Sequence, residues 1–176
     1  MAPDRAWEEA RRVCCEVVKN RYLPTRSLQV VAAASLYAAC REFNVPVTIA
    51  DLASATRTKD VEIGRGYRLI LDRVGLTPPP PNGTRYALKV ASVMGISKEA
   101  TALALEIEKR AVKQGLEVRK PMTIAAASAY LACLATGEAV TQSDVADAAG
   151  TSVVSVRECS RAIRSLVQTS GLLGSE

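Results

Sequence analysis

The chain repeats itself, and that constrains its fold more than any other feature. The stretch from Leu23 to Ile70 aligns without a gap on Leu116 to Ile163, at a constant offset of 93 positions. Ala32-Ala33-Ala34-Ser35-x-Tyr37-x-Ala39-Cys40 recurs as Ala125-Ala126-Ala127-Ser128-x-Tyr130-x-Ala132-Cys133, and Val47-Thr48-x-x-Asp51 recurs as Val140-Thr141-x-x-Asp144. Arg26 matches Arg119, and Arg68 matches Arg161. A repeat this long is a small domain rather than a solenoid turn, so two units of one architecture are expected.

Each unit reads as a series of helices. In the first, Asp4 is placed to cap a helix running to about Asn20, and a second helix from Leu28 to Phe43 is apolar nearly all round (Val30, Val31, Ala34, Leu36, Tyr37, Ala38). An all-round apolar helix belongs in a core. Thr48 with Asp51 three residues on resembles a capping box, and Thr58 is placed to cap a last helix ending near Gly75. The boundaries predicted are residues 1–77 for the first unit, a stiff Pro-rich linker over 78–83, and 84–176 for the second unit. The second unit's helices are expected over 84–94, 98–114, 122–136, 142–149 and 153–168, with Gly95, Gly115, Gly137 and Gly150 at helix stops. That gives five helices to the second unit and four to the first, which is expected to lack its N-terminal helix.

Composition supports an all-helical fold and removes several functions. Aromatic residues make up only 4% of the chain against 48% hydrophobic, so Ala, Val, Leu and Ile must do the packing. Histidine is absent and the five cysteines form no C-x-x-C pair, which argues against a zinc site; no cofactor is expected. Cys40 and Cys133 lie in Ala-rich stretches and read as small buried hydrophobes in a reducing compartment. At least one of Cys14 and Cys15 should be packed. With no histidine, Gly-rich phosphate loop or metal cluster, the chain does not read as an enzyme. It has no apolar run long enough for a membrane span.

The net charge is +5, with 13 Lys/Arg against 9 Asp/Glu in residues 1–86 and 10 against 9 in residues 87–176. This permits nucleic-acid binding without demanding it. The pattern of helices is more telling. Residues 142–149 and 153–168, joined by Gly150-Thr151-Ser152, form a short helix, a tight turn and a longer helix, as in a helix-turn-helix. At 100° per residue, Val156, Ser160, Ile163 and Val167 share one stripe, while Val154, Arg157, Arg161 and Arg164 cluster on the other side. Arg157 suits a guanine edge and Val154 a thymine methyl. Arg161 and the amides at Thr141 and Gln142 suit phosphates. Ser152 and Ser155, at the start of the longer helix, complete this candidate set. The bland alternative is a solvated basic face with a stray valine.

In the first unit the equivalent helix should point Val61, Arg65, Arg68 and Asp72 outward, and Ile63, Tyr67, Ile70 and Val74 inward. Gly64 stands where the second unit has Arg157. A glycine inside a helix costs about 1 kcal/mol relative to alanine, so it calls for a reason. Either it packs closely on another helix, or a DNA backbone or minor groove approaches it, with Lys59 and Arg65 neutralising phosphate and Arg68 in the same DNA-binding set.

Five-helix units arranged around a buried Ala-rich third helix resemble the cyclin box, the first unit here being one helix short of that pattern. The wording is narrower. Ala33-Ala34-Ser35-Leu36-Tyr37-Ala38-Ala39-Cys40-Arg41, then Val45-Pro46, then Glu62-Ile63-Gly64-Arg65-x-Tyr67-Arg68-Leu69-Ile70 resemble the transcription factor IIB family, archaeal and eukaryotic. Ala125-Ala126-Ala127-x-x-Tyr130, Thr141-Gln142, Ala149-Gly150 and Val154-x-Val156-Arg157 do so in the second unit. The resemblance implies tandem cyclin-like repeats that bind promoter DNA on both sides of a TATA box, together with the TATA-binding protein. It places the second unit on the upstream element and makes Arg85 and Lys89 candidates for the protein contact. It also implies RNA polymerase as a partner through a zinc ribbon that these 176 residues do not contain. Archaeal members are cytoplasmic and eukaryotic ones nuclear; the short connection between repeats is more similar to the archaeal form. One departure is the stretch Glu138 to Asp144, which has no Lys or Arg. The rival reading is a cyclin-like, protein-binding adaptor that never touches DNA; it would show no salt-dependent DNA binding.

Overall fold

A computed structural model describes residues 2–22, 27–116 and 120–168. Among these residues every regular element is a helix: α1 (Ala2–Asn20), α2 (Leu28–Glu42), α3 (Ile49–Thr56), α4 (Asp60–Val74), α5 (Gly83–Met94), α6 (Lys98–Lys113), α7 (Pro121–Ala135), α8 (Gln142–Ala149) and α9 (Val153–Gln168). They form two compact units, Met1–Pro81 and Asn82–Glu176. The repeat holds to the residue, since α2, α3 and α4 begin 93 positions before α7, α8 and α9. Arg26 and Arg119 lie outside the described residues, as does the side chain of Val167.

The local chemistry explains the shared register. Thr48 and Thr141 each accept a hydrogen bond from the backbone N–H of the aspartate three residues on, and Asp51 and Asp144 bond back to the threonine N–H. These reciprocal caps satisfy two otherwise orphaned donors and fix where α3 and α8 start. Both helices end on a left-handed residue, Gly150 in the second unit and Arg57 (φ 53°) in the first. Only glycine takes that conformation without a steric penalty, so Arg57 holds it at a cost of about 1 kcal/mol or more.

Two expected caps and the expected linker are placed differently, and several helix ends shift by one residue. Asp4 sits inside the first turn of α1, where its charge still complements the helix dipole. Thr58 does not cap α4: Lys59 is the N-cap, with no side-chain cap bond, and the Thr58 hydroxyl pairs with that of Thr56 at 2.8 Å. The stretch expected as a linker over 78–83 divides between the units. Arg41 donates to the Pro79 carbonyl at 2.9 Å within the first unit, and Gly83 is already the first residue of α5.

In unit 2, α7 is the centre. Met122 to Ala129 and Leu131 to Cys133 are all buried, packed with Val90 and Ile107 from α5 and α6 and with Val145, Val156 and Ile163 from α8 and α9. Small side chains let the helices approach closely. In unit 1, α2 is less enclosed than its apolar sequence suggests. Ala32 is exposed and Leu36 half-buried, whereas their counterparts Ala125 and Ala129 are fully buried. The reason is α5, which packs against α7 and has no equivalent among the described residues of unit 1. Val13, Val17, Leu52, Ile63 and Ile70 complete the core there. Cys40 and Cys133 are buried as expected, and burial pushes both thiols up; Cys14 is half-buried and Cys15 exposed.

One buried charge anchors α5. Glu108 is buried against the start of that helix, where Thr84 hydrogen-bonds its carboxyl and a β-carbon at Gly83 would collide with it. Burial pushes the Glu108 carboxyl up, against the opposing pull of Lys109 and Thr84. A raised folded-state pKa means that the folded chain holds this proton more tightly than the unfolded chain. Its contribution is therefore complete below the ordinary glutamate range and is lost as pH rises through the folded value. Glu108→Gln should flatten that part of the profile and gain on wild type as pH rises. Melting temperatures of both proteins across pH 4–8 (about the range in which a raised carboxyl titrates) check this; parallel profiles would refute it.

Candidate nucleic-acid interface

The helix-turn-helix geometry follows from α8, Gly150-Thr151-Ser152 and α9. The Gly150 N–H bonds to Asp147 and the Thr151 N–H to Ala146, closing α8. Ser152 then caps α9, its Oγ accepting from the Ser155 N–H at 3.1 Å while the two serine hydroxyls pair at 2.8 Å. Ser152 and Ser155 thus have a structural task at the very point where DNA contact is expected of them.

The face of α9 is divided as its periodicity requires. Val156, Ser160 and Ile163 are buried, with Cys159 beside them, and the Ser160 hydroxyl is satisfied by the Val156 carbonyl at 2.8 Å. Val154 is 51% exposed, and Arg157, Arg161 and Arg164 are exposed with no ion pair among the described residues. Val153 is also exposed at 40%. The start of α9 therefore presents two valines and an arginine to solvent, which core packing does not explain.

The start of α8 differs from what its sequence suggests. The Thr141 N–H donates to Asp144 Oδ2 at 2.9 Å, so it is not an exposed amide waiting for a phosphate. Hydrogen bonds from the Thr141 hydroxyl and backbone hold the Asp144 carboxyl below its usual range, so a carboxylate already occupies this helix end. Gln142, half-buried, is left as the polar side chain of the pair on this surface.

On α4, Val61, Arg65, Arg68 and Asp72 are exposed, while Ile63 and Ile70 are fully buried and Tyr67 and Val74 half-buried. Lys59 is exposed at the N-cap. Asp60, beside Lys59, and Glu62 put acidic charge in the same first turn. Gly64 is not demanded by packing. A β-carbon there would meet only Ile49 Cδ1 at 3.7 Å, an ordinary contact, so the close-packing explanation fails. Of the pair on α5, Arg85 is exposed, whereas Lys89 is half-buried and already has an interaction within the chain.

Sequence reasoning misses a concavity. Tyr130, Gln142, Arg157, Ser160, Arg161 and Arg164 line an open hollow of about 240 Å³ on unit 2. It brings together α7, α8 and α9, although the sequence marks Tyr130 and Ser160 only as repeat and core positions. The signal is present in the repeat, because the unit 1 counterpart of Ser160 is Tyr67.

Two tandem helical repeats, each built on a central Ala-rich helix, define an all-α protein of cyclin-like repeats. The transcription factor TFIIB repeat matches residues 3–73 and 77–165. The chain belongs to the TFIIB family. It is 39% identical over 158 residues to transcription initiation factor IIB of Pyrococcus abyssi, covering 88% of this chain and 53% of that protein. Transcription initiation factor IIB 1 of Thermoplasma volcanium is 39% identical over 156 residues, with 88% and 50% covered. The Pyrococcus furiosus factor is likewise 39% identical over 158 residues, with 88% and 53% covered. The chain thus spans about half the length of the curated relatives it matches.

Proposed function

We propose that this chain acts as the core of a transcription initiation factor, binding promoter DNA on both sides of a TATA element together with the TATA-binding protein. The observation that carries this reading is the solvent-facing start of α9, with Val154 beside Arg157 and no structural use for either. In the major groove, Arg157 reads a guanine edge and Val154 packs on a thymine methyl, while Arg161 positions the helix on phosphate. Unit 1 contacts the other side of the element through Lys59, Arg65 and Arg68, and the room left at Gly64 admits a backbone. Arg85 is the better candidate of its pair for the TATA-binding protein. Contact with RNA polymerase belongs to a zinc ribbon outside these 176 residues.

Net charge of +5 over two units neutralises few phosphates, so the chain alone binds duplex DNA weakly. Bent DNA held by the TATA-binding protein offers sites to both units at once and raises apparent affinity through effective concentration. Gel shifts on TATA-containing DNA, with and without the TATA-binding protein and over a salt series, test this. Tighter, salt-dependent binding to the binary complex is expected. Equal affinity for naked DNA and the complex would overturn cooperation, and a flat salt response would favour a protein-binding adaptor.

A further inference from the structure

We infer that the uncovered groove between α1 and α2 of unit 1 is a docking surface for a second copy of this chain, with the two α1 helices paired antiparallel about a two-fold axis. The repeat shows what is left open. Ala6, Ala10, Val13 and Val17 of α1 are buried in the same order and spacing as Ala100, Ala104, Ile107 and Ala111 of α6. Trp7, Arg11, Cys14 and Val18 therefore stand where α6 has Thr101, Leu105, Glu108 and Val112, none of which is exposed. On α2, Gln29 and Ala32 are exposed and Leu36 is half-buried, whereas Met122, Ala125 and Ala129 of α7 are buried. In unit 2 these two stripes meet α5, which packs on both α6 and α7. Among the described residues of unit 1 nothing takes its place. Trp7 and Val18 are left 60% and 49% exposed on the α1 stripe, and Leu28, next to Gln29, 71%. Apolar surface gathered in this way marks an interaction site more often than a solvated face.

The charges on α1 decide which partner fits. Towards solvent, Arg12 is paired with both Glu9 and Glu16, at 2.6 and 3.0 Å. Glu8, Arg11 and Lys19, beside the open stripe, make no ion pair among the described residues. Glu8 lies in the N-terminal half of α1 and Lys19 in its last turn, so the helix is complementary to itself read backwards. An antiparallel pair sets Trp7 against the partner's Val18 and Glu8 beside the partner's Lys19, and two-fold symmetry makes each contact twice. The Arg11 stem lies along the seam, covering apolar surface while its charge stays in water. A tryptophan leaving water anchors such an interface, and the opposed charges at its rim set the register. The inference is independent of DNA binding.

Trp7 is the single tryptophan of the chain, so its emission reports on this surface alone. The 176-residue chain is followed by sedimentation equilibrium and by fluorescence over a concentration series. A mass rising from 18.7 kDa towards twice that is expected, with the emission moving to shorter wavelength over the same range. Trp7→Ala should abolish the association. Glu8→Lys sets like charges together twice and should raise the midpoint concentration roughly tenfold. Trp7, Glu8 and Lys19 are exposed, so these changes should leave unit 1 folded. Adding Lys19→Glu to Glu8→Lys reverses both charges and should restore the wild-type midpoint. A constant mass of 18.7 kDa would overturn the proposal, and short-wavelength emission from that monomer would mean that its own chain covers the face. Association that survives Trp7→Ala, or that the reversed pair fails to restore, would put the dimer contact elsewhere and overturn this face as its interface.

Discussion

Ile163→Ala is expected to cost unit 2 about 2–5 kcal/mol, a large share of the stability of so small a domain. Ile163 is fully buried on the inward stripe of α9, in the cluster that joins α7, α8 and α9. Alanine there loses the transfer free energy of three carbons and leaves a cavity, because small side chains on α7 cannot move to fill it. A domain of this size has roughly 5–15 kcal/mol in all, so the variant sits near its unfolding threshold. Ile70, fully buried at the equivalent position of α4, should behave the same way in unit 1. Arg164→Ala, one residue from Ile163 but exposed, should change stability by less than about 0.5 kcal/mol. Urea unfolding of the three variants measures this. A loss below about 1 kcal/mol for Ile163→Ala would mean that α9 does not dock through this face.

The second large effect concerns recognition. Arg157→Ala should leave the fold intact, since the side chain is exposed and alanine favours helix. On the proposed reading it costs about 1–3 kcal/mol on the preferred upstream sequence and less on a scrambled one, because a bidentate base contact is lost. Arg161→Ala should weaken both sequences alike, as loss of a phosphate contact does. Measuring both variants on both sequences at one salt concentration separates the two roles. Equal losses for Arg157→Ala would leave it a phosphate contact and remove the main support for sequence reading by α9.

The two units, set side by side, also show how the fold arises. Where the repeat is strict, as at Thr48/Asp51 and Thr141/Asp144, helix starts coincide to the residue. Where it relaxes, the units diverge in what they can do. Where Tyr67 meets Tyr37 edge to face in unit 1, Ser160 leaves Tyr130 beside an open hollow in unit 2, between equivalent helices.

Much of this is legible in the chain itself. The gapless repeat dictates two units, the 3.6-residue period sets which side of α9 faces inward, and short-range caps set where α3 and α8 begin. These depend on neighbours within a turn or two, which a sequence displays directly. Tertiary packing decides the rest. Only contact with α5 distinguishes the enclosed α7 from the partly open α2, although both are Ala-rich. Only the fold reveals that Gly64 has room to spare, and that Tyr130 on α7, Gln142 on α8 and three arginines on α9 line one hollow. Those properties depend on residues far apart in the chain, and on the volume left between them, which no local pattern records.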